Sequence, residues 1–259
     1  MTLSLLVLGE MSREIPAPDL RALLASVRDG EDAPETVVCN ASRLLGSGGR
    51  PAAHLERLFD SGIDVVVLDA KSLARPATRE VLGTLRRVIR PLNLPPGTPG
   101  DADLLLETPT GACRLVVLET GDDRLPVDPP WETLAAFEAG LTDHAPLVLL
   151  FSGPDLELKQ AMAWRVQSLS RPVHLVGTGL GCIAGHPVIR TGRASVLDVG
   201  IAAGESSVSG IAPDVWWQRQ AHLQGAPALP PDRLLIDAIR LRLDDAGRAV
   251  SIERLRFGG

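Results

Sequence analysis

Short, unbroken apolar runs alternate along the first two-thirds of the chain with segments whose apolar residues recur at helical spacing. Leu3–Leu8, Thr36–Cys39, Ile63–Leu68, Leu115–Leu118, Leu147–Phe151 and Val173–Val176 are brief and mostly β-branched or leucine-rich, which predicts buried strands. Between them, Asp19–Val27 sets Leu20, Leu23, Leu24 and Val27 on one helical face. Pro51–Asp60 opens with a proline in its first turn and gathers Leu55, Leu58 and Phe59 on one side. Thr78–Ile89, Trp131–Ala139 and Asp155–Leu169 follow the same rule, the last through Leu158, Met162, Val166 and Leu169. Strand–helix alternation of this kind predicts an α/β fold.

The pattern changes beyond Val176. Pro187–Arg190, Ser195–Val199, Leu234–Leu243 and Val250–Phe257 read as strands, with one helix among them at Pro213–Gln220. The last third therefore leans antiparallel. Leu94–Gly100 and Gly225–Pro231 are proline-rich loops too short to link domains, so one domain is expected over residues 1–259.

Composition narrows the setting. The chain has 259 residues and a formal net charge of −6, which argues against a general nucleic-acid or membrane-surface binder. No apolar run approaches the roughly 20 residues of a membrane span. The three cysteines, Cys39, Cys113 and Cys182, are far apart and odd in number, as expected of reduced thiols in a cytoplasmic protein. Only Lys71 and Lys159 are lysine among 26 basic residues, a bias that reflects GC-rich coding more than function.

Local motifs point to no chemistry by themselves. Gly46–Pro51 (GSGGRP) lacks the ending of a phosphate-binding P-loop and reads as a plain loop. Gly177–Gly185 (GTGLGCIAG) follows a strand but runs into the β-rich Val188–Ile189, so it is not a dinucleotide fingerprint. His54, His144, His174, His186 and His222 share no metal-ligand spacing, and His54 and His174 read as structural. No GxSxG elbow is present. Trp216–Trp217 reads as a packing pair.

Taken in order, however, the chain resembles the YmdB-like branch of the calcineurin-like metallophosphoesterases. The opening strand ends in LVLGE (Leu6–Glu10), where the family has GD. SGIDVVVLDAK (Ser61–Lys71) stands where the family reads close to AGVDVITLGNH, and RPLNLPPGTPG (Arg90–Gly100) nearly repeats RPANYPPGTPG. LVGTGLG (Leu175–Gly181) stands for VVGTHTH, LDVGIAAGESSVSG (Leu197–Gly210) for TDVGMTGPYDSVIG, and SIERL (Ser251–Leu255) matches a common ending. The resemblance implies a calcineurin-like metallophosphoesterase sandwich, two β-sheets flanked by helices. In the family, two metal ions activate a water and clamp phosphate oxygens.

The ligand positions of that centre fall on Glu10, Ser42, Arg43, Ala70, Lys71, Ser152, Gly179 and Gly181. Only Glu10 keeps ligand chemistry, and Arg43 and Lys71 bring positive charge where cations would sit. The resemblance thus implies a pseudoenzyme without metal or other cofactor, acting in assembly or regulation as a homo-oligomer or with another protein. A nucleotide or phosphate binder using Arg43 and Lys71 is the alternative, against which these residues simply fill the cleft by pairing with Glu10 or Asp69. A rebuilt phosphodiesterase would have to draw on Glu10, Asp69, Asp198 and His186, although strand alternation should turn Asp69 away from the cleft.

Overall fold

In a computed structural model, residues 2–12, 15, 17–30, 32–46, 49–121, 127–221 and 233–258 are described. The predicted loop Gly225–Pro231 and His222 lie outside them, as do Ser47 and Gly48 of the GSGGRP segment.

Among the described residues, two sheets form the frame, one of eight strands and one of six. The first holds β1 (Leu3–Leu8), β2 (Glu10–Met11), β3 (Thr36–Asn40), β4 (Val65–Val67), β5 (Val88–Ile89), β12 (Ile201–Gly204), β13 (Leu234–Leu243) and β14 (Ala249–Gly258). The second holds β6 (Asp103–Thr108), β7 (Gly111–Glu119), β8 (Leu147–Ser152), β9 (Val173–Thr178), β10 (Val188–Arg190) and β11 (Arg193–Val196). Strands β1, β3, β4 and β5 run parallel, as do β7, β8, β9 and β11, so in each sheet a set of carboxyl ends is aligned. The late strands β13 and β14 are antiparallel, in line with the change of pattern along the chain.

Alternation along the strands divides the core. Val7, Val38, Val67, Val117, Leu150, Val176 and Val196 pack between the sheets. Their neighbours face outward. Leu6, Leu8, Val37 and Val66 meet α1 (Ala17–Arg28), α2 (Ser42–Gly46), α3 (Pro51–Asp60) and α4 (Pro76–Leu82). Val116, Leu118, Leu149 and Phe151 meet α5 (Pro130–Gly140) and α6 (Leu156–Arg165). A last helix, α7 (Pro213–Gln220), follows β12, and no helix among the described residues is long and apolar enough to cross a membrane.

Some boundaries differ from those expected. The segment Thr78–Ile89 is not one helix: α4 stops at Leu82, and Val88–Ile89 extends the parallel sheet against Val66 and Val67. Asp155–Leu169 divides as well. Asp155 caps α6 by accepting the Leu158 N–H at 2.8 Å, and Val166–Ser168 form a 3-10 turn. Among the described residues no helix follows β9 before β10, as expected for a glycine run that is not a dinucleotide loop. His174 is a buried structural residue: Nδ1 accepts the Ala194 N–H, which leaves Nε2 to donate to the Gly247 carbonyl at 2.9 Å.

Candidate functional site

Two residues beyond the inter-sheet core, six of the aligned strands end in, or are followed by, a polar group. Val38 is followed by Asn40, Val67 by Asp69, Val117 by Glu119, Leu150 by Ser152, Val176 by Thr178 and Val196 by Asp198. The two-residue period keeps Asn40, Glu119, Ser152 and Thr178, which lie within their strands, on the inner face, while Asp69 and Asp198 follow the ends of β4 and β11; a dry core gives way to a polar cleft at the carboxyl ends of both sheets. Asn40 Nδ2 donates to Thr178 Oγ1 across the cleft at 3.1 Å, a direct bond between the sheets.

Glu10 lies in β2, just beyond β1, and is 3% exposed. Arg43 donates from Nε and Nη2 to the same oxygen, Glu10 Oε2, at 3.1 and 3.0 Å. The start of α2 is held from both sides. The Ser42 N–H donates to Asn40 Oδ1 at 2.9 Å, and Ser42 Oγ accepts the Asp69 N–H at 2.6 Å. Burial lifts the Glu10 carboxyl above its ordinary value; Arg43 opposes the rise, and Asp69 and Asp198 add to it.

Asp69 does not turn away from the cleft as alternation from the lost amide position suggested. β4 has already ended at Val67, and Asp69 sits in a turn where its Oδ1 accepts the Ser72 N–H at 2.8 Å. Its charge raises both Glu10 and Glu119. Lys71 is exposed, with its positive charge bearing on Asp69 and Glu119. Ala70 is buried and donates its N–H to Glu119 Oε2 at 3.3 Å.

On the second sheet, Ser152 is buried and its hydroxyl has no hydrogen-bond partner among the described residues. Gly179 and Gly181 have left-handed φ of 94° and 72°. A methyl at Gly179 would stand 2.8 Å from the Gly153 nitrogen and 2.9 Å from Ser152 Oγ; one at Gly181 would stand 2.9 Å from Arg43 Nη2. His186 is exposed on the following loop, outside this hydrogen-bonded network.

Glu119 and Lys159 carry no motif in the sequence, whereas Asp198 stands among the groups a rebuilt phosphodiesterase would draw on. Glu119 is buried beside Ala70, with its backbone fixed by Asn93, whose Oδ1 accepts the Glu119 N–H. Burial chiefly, and then Asp69, push its carboxyl up to about 7. Lys159 and Asp198 are both fully buried and paired at 3.1 Å. Lys159 also donates to the Thr178 carbonyl, and Asp198 accepts the Leu180 and Gly200 N–H groups. Burial lowers the Lys159 ammonium and raises the Asp198 carboxyl, each opposed by the other's charge.

The sign of the Glu119 shift makes a prediction. A carboxyl that ionises near 4.5 unfolded and near 7 folded destabilises the fold progressively as pH rises through that window. Glu119→Gln should therefore gain about 2–3 kcal/mol over the wild type at pH 8 and little at pH 5. Urea unfolding at both pH values checks this; an equal gain at both would refute the assignment.

The donor set does not fit a two-metal centre. Its remaining carboxylate, Glu10, is engaged by a guanidinium, and Ser42 and Ser152 supply only neutral hydroxyls. Gly179 and Gly181 offer no side chain and little room for one. Among the described residues, no group of three or more His, Cys, Asp or Glu is placed to hold a metal ion.

Comparison with other proteins gives the same frame. A family model described as YmdB-like protein matches residues 6–255. A phosphatase from Mycoplasma pneumoniae superposes with a TM-score of 0.87 at 17% identity, over 100% of this chain and 94% of its own. A hypothetical protein from Thermus thermophilus gives 0.84 at 20% identity, over 98% and 99%. GAP50, the anchor in the inner membrane complex of Plasmodium, gives 0.51 at 11% identity, over 98% and 88%. No curated protein matches by sequence. The fold is thus that of phosphoesterase-type proteins.

Proposed function

Because the chain belongs to the YmdB-like family and yet sets a guanidinium against its one remaining ligand carboxylate, we propose that it is a phosphoesterase-fold protein that does not hydrolyse phosphoesters and acts as an assembly or regulatory subunit. The observation that carries this reading is the Arg43–Glu10 pair. A carboxylate oxygen that accepts two guanidinium N–H groups has its charge satisfied, and the hydrolytic centre of the family needs that charge for a metal ion. The fold is no obstacle to such a role, since GAP50 is an anchor.

Assembly is favoured over nucleotide or phosphate binding by the charge around Arg43 and Lys71. A phosphate entering the cleft would approach Glu10, Asp69 and Glu119 as well as the two cations, the buried Lys159–Asp198 pair balancing its own charges. Arg43 is also already engaged.

The test combines metal content, turnover and mass. Protein soaked in manganese and iron, then desalted, should hold far less than one ion per chain by elemental mass spectrometry. It should also leave a chromogenic phosphodiester and cyclic dinucleotides uncleaved. Light scattering should show an oligomer or a stable complex with a purified active relative. Stoichiometric metal with metal-dependent cleavage would overturn the reading, and so would a strict monomer that binds no relative.

A further inference from the structure

We propose that the Arg43 guanidinium is a tethered cation: it occupies the cation site of Glu10 and does structurally what a bound metal ion would do there, neutralising a buried carboxylate and tying β2 to α2. The inference rests on the reading above that the cleft holds no catalytic metal, and assigns a role to the residue found in its place.

Geometry is the first support. Nε and Nη2 both donate to Oε2, at 3.1 and 3.0 Å, the same one-oxygen arrangement that Arg256 makes on Asp237 Oδ1 at 2.8 Å from both nitrogens. The carboxylate is almost wholly buried, while the guanidinium keeps about a third of its side-chain surface in solvent, 32% against 3%. A charge withdrawn from water to that degree needs a counter-ion. Arg43 supplies one that cannot diffuse away.

The backbone bearing Arg43 is fixed independently of the pair. Asn40 Oδ1 holds the Ser42 N–H, and Ser42 Oγ holds the Asp69 N–H, so the start of α2 is held by contacts that do not involve the Arg43 side chain. The guanidinium is therefore delivered to Glu10 by a braced turn. Its charge also reaches Asp69, whose rise it opposes.

The third support is exclusion. A side chain at Gly181 would begin 2.9 Å from Arg43 Nη2. A side chain at position 181 would therefore have to push the guanidinium aside from its place on Glu10.

A matched control is built into the same molecule. Asp237 is another buried carboxylate, 4% exposed, whose Oδ1 accepts Arg256 Nε at 2.8 Å and whose Oδ2 accepts the Ile201 N–H, and it is not one of the former ligand positions. The experiment compares thermal unfolding of the full chain, Arg43→Ala and Arg256→Ala, each with and without millimolar manganese chloride or guanidinium chloride. Sodium chloride at matched ionic strength is the reference. Arg43→Ala should melt on the order of 5–10 °C below the wild type. One of the two added cations should restore most of that loss, while the wild type and Arg256→Ala stay unmoved. The inference is overturned if Arg43→Ala melts with the wild type, if neither cation restores it, or if the other proteins respond equally. Should Arg43→Ala fail to fold, Glu10→Gln/Arg43→Ala removes both charges and must fold and ignore manganese; a misfolded double variant also overturns it. Hydrolytic activity is not the readout, so a wild type that cleaves phosphodiesters would refute the proposed function without deciding this test.

Discussion

Lys159→Ala should lower the stability of the protein by about 3–5 kcal/mol, because it strands Asp198 as a buried charge without its partner. Lys159 Nζ and Asp198 Oδ2 are 3.1 Å apart, and neither side chain has any exposure. The ammonium reaches from α6 to the Thr178 carbonyl at the end of β9 and to Asp198, which in turn holds the Leu180 and Gly200 N–H groups. Removing it frees three pieces of chain that define one wall of the cleft. The expected fall in Tm is roughly 10 °C for a chain of this size. Lys159→Met/Asp198→Asn should recover a good part of the loss, since an apolar and a neutral group can replace a buried ion pair at little cost. Guanidinium chloride denaturation of the single and double variants measures both effects. A single variant within about 1 kcal/mol of the wild type would show that the pair contributes nothing net.

Gly177→Ala should be worse still. A methyl built on Gly177 overlaps the Leu197 carbonyl oxygen and lies 2.5 Å from the Leu197 carbonyl carbon. Both belong to backbone, so no rotamer change relieves the clash. The segment that would have to move carries Asp198, and Val199 donates its N–H to the Gly177 carbonyl. Overpacking against a fixed main chain places this substitution among the severe ones, about 4 kcal/mol or more, seen as insoluble protein or a collapsed denaturation midpoint. Gly83→Ala is the contrast. A methyl there meets nothing within 4 Å, at an ordinary helical φ of −70°, and the change should be neutral or stabilising by up to about 1 kcal/mol. Equal behaviour of the two variants would remove the steric argument.

The long buried strands were legible because a parallel strand covered on both faces is written as an unbroken apolar run. Leu3–Leu8 and Leu147–Phe151 are such runs, and both are strands within a residue of the expected bounds. The elements that escaped are short or half covered. β2 and β5 have two residues each, too few for a period, and β6 is an edge strand with no fully buried residue. The site divides in the same way. Glu10 and Arg43 are marked by the family resemblance, and their opposite charges make the pairing a direct expectation. Lys159 was masked by taking the helix stripe through Leu158; the buried positions are Lys159, Met162, Ala163 and Val166, a helical face with a charge on it. That charge was the signal. Asn40, Glu119 and Thr178 carried one too, each standing two residues beyond a core residue, but which strands share an end is a tertiary fact that no local pattern contains.

The place of β13 has a consequence for synthesis on the ribosome. It lies between β1 and β14, and pairs Leu3 with Leu243 and Leu8 with Ala238. β1 therefore leaves the exit tunnel well before the strand that covers it emerges, with most of the other strands made in between. Until then β1 can pair with β3 but keeps one edge of backbone donors and acceptors open, on a strand whose every residue is apolar apart from Ser4. Such an edge is a template for stray pairing, and closure over so long a loop is slow. Translation speed and early chaperone capture should thus decide the yield of folded chain more than the stability of the finished sheet does.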